Sequence, residues 1–108
     1  MIIGIGMDMI ELDRIKKAME NLRFVQRILT PAELEKFRSL NKSRQVEFLA
    51  GRFAGKEACS KALGTGIGTH LSWQDMSILN NDLGKPILHI KENIIGNHVG
   101  HVSLSHTK

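Results

Sequence analysis

A helix closed by glycine constrains this chain most: Arg52-Phe-Ala-Gly-Lys-Glu-Ala-Cys-Ser-Lys-Ala-Leu-Gly-Thr-Gly-Ile-Gly68. Gly64 suits the position just past a helix C-terminus, where positive φ is required and only glycine adopts it cheaply. A Walker-type loop or a dinucleotide fingerprint follows a strand and opens a helix. Here the glycines end one, so phosphate chemistry of the P-loop kind is excluded. Glu57 and Lys61 lie one turn apart on one helix face. They could jointly hold a metal ion and the phosphate it neutralises. Spacing alone favours a plain ion pair, Glu before Lys at i,i+4, worth about 0.2–0.5 kcal/mol. Glu57 stands among Phe53, Ala54 and Ala58, and a carboxylate buried there would need a partner such as Lys61.

The rest of the chain can be read around that helix. Residues 2–8 alternate, with Ile3, Ile5 and Met7 on one side and Ile2, Gly4, Gly6 and Asp8 on the other, which predicts a strand. The two glycines bare the Asp8 face for close approach of a backbone or a ligand. A helix should follow, burying Leu12, Ile15, Met19 and Leu22. Thr30-Pro31-Ala32-Glu33 predicts the start of another, with Thr30 as N-cap, Pro31 at the first position and Glu33 closing a capping box. It should run to about Leu40, before a polar turn at Asn41-Lys42-Ser43. The long helix is expected from about Arg44 to Leu63, with Phe48, Leu49, Phe53, Cys59 and Leu63 apolar. Strands are predicted at Met76–Leu79 and Ile87–Ile90, flanking a hairpin connection at residues 81–86, and at Gly100–Thr107. The order β-α-α-α-β-β-β indicates an α+β fold with a mainly antiparallel sheet packed against helices and one long central helix.

At 108 residues the chain has room for one domain, residues 1–108. The apolar start lacks a basic leader and is interrupted by Asp8, so neither a signal peptide nor a membrane span is expected. The lone Cys59 cannot form an internal disulfide, which fits a cytoplasmic location. Net charge is +4, with Arg14, Lys16, Lys17, Arg23 and Arg27 crowding the first quarter. A basic surface favours an acidic partner. Aromatic residues make up only 5%, which argues against single-stranded nucleic acid. An acidic protein or a phosphorylated small molecule suits the balance better; a solvated basic surface without a partner is the plain alternative.

The chemical candidates each have a second reading. Asp8 ends a strand on a face cleared by glycine, as a metal ligand could, yet Asp8 and Glu11 also have capping-box spacing. Glu33 is most economically a capping residue. Cys59 reads as core, and His106 as a packed histidine at a strand end. The five histidines show no zinc-ligand spacing.

Taken together, the segments Gly4-Ile-Gly-Met-Asp8 with Arg14, Arg27-Ile-Leu-Thr-Pro-Ala-Glu33, Phe48-Leu-Ala-Gly-Arg-Phe-Ala-Gly-Lys-Glu-Ala58, Lys61-Ala-Leu-Gly-Thr-Gly-Ile-Gly68 and His101-Val-Ser-Leu-Ser-His-Thr107 carry a resemblance. They resemble the bacterial holo-(acyl-carrier-protein) synthases, the small trimeric class of 4′-phosphopantetheinyl transferases. The likeness runs over essentially the whole chain in the same order. It implies transfer of 4′-phosphopantetheine from coenzyme A to a serine of apo acyl carrier protein, releasing adenosine 3′,5′-bisphosphate, in support of fatty acid biosynthesis. By the same resemblance, Asp8 and Glu57 match the Mg²⁺ carboxylates and Lys61 a phosphate-contacting, catalytic lysine. Gly64, Thr65, Gly66 and Gly68, with His106 and Thr107, match segments lining coenzyme A. Arg14, Arg23, Phe24 and Arg27 match positions that dock the acidic carrier. A homotrimer with active sites between subunits is implied, with no nucleic-acid or membrane partner.

Deprotonation of the serine is expected to fall to a water on the metal or to Glu57 acting through one. Members of the family usually continue past the His-Thr segment into a further strand. Ending at Lys108 is expected to leave the edge beside residues 100–107 unpaired. A non-catalytic module binding acidic partners and a small trimer-forming structural protein are the rival readings; neither needs Asp8 and Glu57 to converge.

Overall fold

The computed structural model describes residues 9–68 and 70–91. The expected strands at 2–8 and 100–107 lie outside them. Four helices precede a hairpin: α1 (Met9–Ala18), α2 (Leu22–Ile28), α3 (Pro31–Arg38) and α4 (Lys42–Ala62). A single 3₁₀ turn, Trp73–Asp75, leads into β1 (Met76–Asn80), which pairs antiparallel with β2 (Pro86–Ile90) in the register Ile78↔Leu88. The connection is the predicted hairpin. Asn81 Oδ1 accepts from Leu83 N and Lys85 N, both at 2.9 Å, and Gly84 takes φ 80°.

The structure has one more helix here than the apolar spacing predicts. The first predicted helix was to continue through Leu22, but the chain turns after Ala18 and a new helix starts at Leu22. Asn21 is the cause. It stands in extended conformation and its side chain accepts from Arg23 N at 2.9 Å, as an N-cap does. Leu22 therefore faces water, 61% exposed, instead of joining the buried stripe. Asn41 similarly caps α4 through Arg44 N at 3.0 Å, starting that helix two residues earlier than predicted.

The apolar side chains gather in two clusters. Ile15, Val25, Ile28, Leu29, Phe37, Val46, Phe48 and Leu49 pack where the helices meet. Cys59, Leu71, Met76, Ile78 and Leu88 pack between the end of α4 and the hairpin. Three rings pack against the first cluster, with Phe53 stacked on Trp73 at 5.0 Å and near Phe24 at 6.2 Å.

Cys59 is core, as expected, and burial pushes its thiol from 9.0 up to about 11. Between those values the unfolded chain releases the thiol proton while the folded chain keeps it, so this group's contribution falls as pH rises. The stability advantage of the native chain over Cys59→Ala should therefore shrink from pH 9 to pH 11. Urea midpoints measured for both across that window test it; parallel profiles would refute it.

Candidate active site

The site rests on which way α4 faces. Leu49, Phe53, Lys56, Ser60 and Leu63 recur at helical spacing along its inward stripe, and Lys56 and Ser60 are fully or almost fully buried. Glu57 and Lys61 are consequently turned to solvent. They are one turn apart, and no ion pair joins them. The plain ion-pair alternative is thus not what forms, and the carboxylate and the ammonium are both available to a ligand.

The buried charge in this stretch is Lys56 instead. Its Nζ donates to Glu33 Oε1 at 2.6 Å, to Ile28 O at 2.6 Å and to Trp73 O at 3.2 Å. Glu33 forms the predicted capping box with Thr30, accepting Thr30 N at 2.8 Å, and its other oxygen accepts Ile78 N at 2.7 Å. Sequence reasoning gave Glu33 only the capping role and gave Lys56 none. The signal was the 3–4 spacing from Leu49 through Phe53 to Ser60 and Leu63, which places Lys56 on the inward stripe. Burial draws the Lys56 ammonium below its ordinary pKa, while the charge and hydrogen bond of Glu33 hold it up.

Past Ala62 the helix ends as its glycines require. Gly64 and Gly66 take φ 78° and 67°. Ser60 O accepts both Thr65 N and Gly66 N at 3.2 Å, turning the backbone back on the last helical turn. Among the described residues, a side chain at Gly64, Gly66 or Gly68 would meet nothing within 4 Å, so with respect to them the backbone here lies open to an approaching group. Thr65 Oγ1 is buried without a hydrogen-bond partner, one donor and acceptor left over beside that turn.

A second feature went unread in the sequence. Lys36, Arg44 and Arg52 line a cleft of about 410 Å³ together with Phe48, Glu47 and Asn80. Arg52 lies 4.0 Å over the Phe48 ring and donates to Ile78 O at 3.1 Å. Burial lowers its pKa and the Glu33 charge raises it. Three cations against one carboxylate leave this cleft suited to phosphate.

The pattern of the 4′-phosphopantetheinyl transferase superfamily matches residues 4–106. The chain belongs to that family. It is 52% identical over a 109-residue alignment to the holo-(acyl-carrier-protein) synthase of Geobacillus kaustophilus, covering all of this chain and 82% of the relative. Its fold superposes with a TM-score of 0.71 on the Bacillus anthracis holo-(acyl-carrier-protein) synthase in complex with CoA (3′,5′-ADP), at 53% identity, over 84% of this chain and 77% of that one. The Helicobacter pylori holo-(acyl-carrier-protein) synthase in complex with coenzyme A gives 0.70 at 32% identity, over 80% and 72%. Among the phosphopantetheinyl transferase residues expected from the sequence, Glu57, Lys61 and the Gly64–Gly68 turn come together at one end of α4. Asp8, His106 and Thr107 lie outside the described residues. Arg14, exposed on α1, pairs with Glu11 at 3.1 Å. Arg23 and Arg27 are exposed on α2, whereas Phe24 of the same helix is half-buried against Phe53.

Proposed function

We propose that this chain transfers the 4′-phosphopantetheinyl group of coenzyme A to a serine hydroxyl of apo acyl carrier protein and serves fatty acid biosynthesis in the cytoplasm. The observation that carries this reading is the solvent-facing Glu57 and Lys61, in no ion pair among the described residues, beside an open glycine turn, in a chain of this family. The seryl oxygen attacks the phosphorus nearer pantetheine. A new P–O bond forms, the bridging P–O bond breaks, and adenosine 3′,5′-bisphosphate leaves. Lys61 holds negative charge on the diphosphate, and the turn at Gly64, Thr65, Gly66 and Gly68, with His106 and Thr107, lines the cofactor. Glu57 accepts the seryl proton through a water.

The donor set fits Mg²⁺, which binds through one or two carboxylates plus substrate phosphates. Among the described residues no three His, Cys, Asp or Glu side chains gather, so a protein cage for a metal is not what they offer. Glu57, together with Asp8, would hold the ion. When bound, it supplies neutralisation of phosphate charge.

The 410 Å³ cationic cleft is small for all of coenzyme A and suits its phosphate-bearing nucleotide end. Arg52 and Glu57 are five residues apart, hence about 140° apart around α4. One chain therefore turns its cationic cleft and its carboxylate in different directions. A site completed by a second copy, in a homotrimer, reconciles the two.

Arg14, Arg23, Phe24 and Arg27 dock the carrier. Exposed arginine–carboxylate contacts act mostly on encounter and orientation and are screened by salt. Raising the salt concentration should therefore raise the KM for the carrier more than the KM for coenzyme A; steady-state kinetics over a salt series checks this, and equal rises would count against the docking surface.

The test of the function itself is mass spectrometry of apo acyl carrier protein after incubation with this chain, coenzyme A and Mg²⁺, beside an EDTA control. A metal-dependent gain of one phosphopantetheinyl group is expected. No gain from a folded sample would favour a non-catalytic binding module.

A further inference from the structure

The carbonyl end of α2 is held from outside the helix to an unusual degree. A helix leaves its last four carbonyls without intrahelical partners, and one of seven residues is too short to persist on its own. Here each of those carbonyls is occupied. Val25 O accepts Leu29 N at 3.0 Å. Gln74 Nε2 lies 2.9 Å from Gln26 O, 3.1 Å from Arg27 O and 2.9 Å from Leu29 O. Lys56 Nζ takes Ile28 O. Three acceptors around one atom require the amide NH₂ of Gln74, not its oxygen. The 3₁₀ turn carrying Gln74 is fixed in turn, because Trp73 stacks on Phe53 of α4 and its carbonyl accepts from Lys56. Lys56 immediately precedes Glu57.

We infer that Gln74 is a positioning residue for the transfer reaction, locking the angle of α2, and with it Arg23 and Arg27, to the helix that carries Glu57. The inference rests on the reading of α2 as the carrier-docking helix. Gln74 spends its amide on the carbonyls of α2 and Leu29, and so acts by closing the carbonyl end of the helix that orients the carrier.

Gln74→Met keeps the volume and removes the donors. In this variant, amide hydrogen exchange in α2 should accelerate by about tenfold, as for loss of one or two hydrogen bonds, with α4 unchanged. The KM for the carrier should rise severalfold, while kcat and the KM for coenzyme A stay at native values. Unchanged exchange in α2, or equal acceleration in α4, overturns the inference. Arg23→Ala separates the two layers of the argument. If it raises the carrier KM while Gln74→Met loosens α2 without doing so, the positioning role is wrong. If neither variant changes that KM, the docking reading fails and this inference falls with it.

Discussion

Lys56→Ala is expected to lower the unfolding free energy by about 3–5 kcal/mol, the cost of breaking a buried ion pair from one side. Domains of this size are held by only about 5–15 kcal/mol in total, so the variant should lose a large fraction of its stability. Three acceptors lose their donor at once: Glu33 Oε1 and the carbonyls of Ile28 and Trp73. Glu33 keeps its bonds from Thr30 N and Ile78 N, but its buried charge loses the cation hydrogen-bonded to it and retains only the more distant attraction of Arg52. Lys56→Met distinguishes charge from packing, because it retains most of the volume. If only packing mattered, it would unfold near the native urea midpoint; it is expected to unfold well below it. Adding Glu33→Gln to Lys56→Met should recover part of the loss, since neutralising both partners removes the stranded charge. A native midpoint for Lys56→Met alone would show that the buried pair contributes little.

Glu57→Gln should behave in the opposite way, sparing the fold and stopping the reaction. Its carboxylate is exposed and in no ion pair among the described residues, so the unfolding free energy should change by less than about 0.5 kcal/mol, as for surface substitutions generally. Turnover should fall by at least about 100-fold, the range for loss of a general acid–base group. The Mg²⁺ concentration giving half-maximal residual activity should rise, because one of two proposed carboxylate ligands has become a neutral amide. Near-normal turnover in a folded Glu57→Gln sample would remove Glu57 from both roles.

The contrast between these neighbours also shows what was legible in the sequence. Local signals were readable because they are local. Thr30-Pro31-Ala32-Glu33 opened α3 with both capping bonds in place, Gly64 closed α4 at positive φ, and residues 81–86 joined two strands. The break at Asn21 was obscured because Leu22, three residues after Met19, continued an apolar spacing, and spacing cannot reveal that the backbone has already turned. Glu57 and Lys61 were found through their proximity to the glycine turn and through family resemblance. Lys56 and Gln74 were not. Helical spacing places Lys56 on the inward stripe of α4, but the partners of Lys56 and Gln74 lie 17–28 and 45–48 residues away along the chain, and no local pattern encodes those partners. The cationic cleft escaped notice for the same reason, as it draws on α3, α4 and the hairpin together.

Because adjacent residues on a helix point about 100° apart, Lys56 and Glu57 occupy opposite environments by virtue of a single step along α4. Changes in identity along this helix can be absorbed or not one position at a time, but a change in length cannot. Deleting one residue between Leu49 and Lys56 would bring Glu57 to the place of the buried ammonium, facing the Glu33 carboxylate, and would turn the opening of the glycine turn away from its present direction. The stretch from Leu49 to Gly64 is therefore a ruler. Among homologous chains it should vary in composition long before it varies in length.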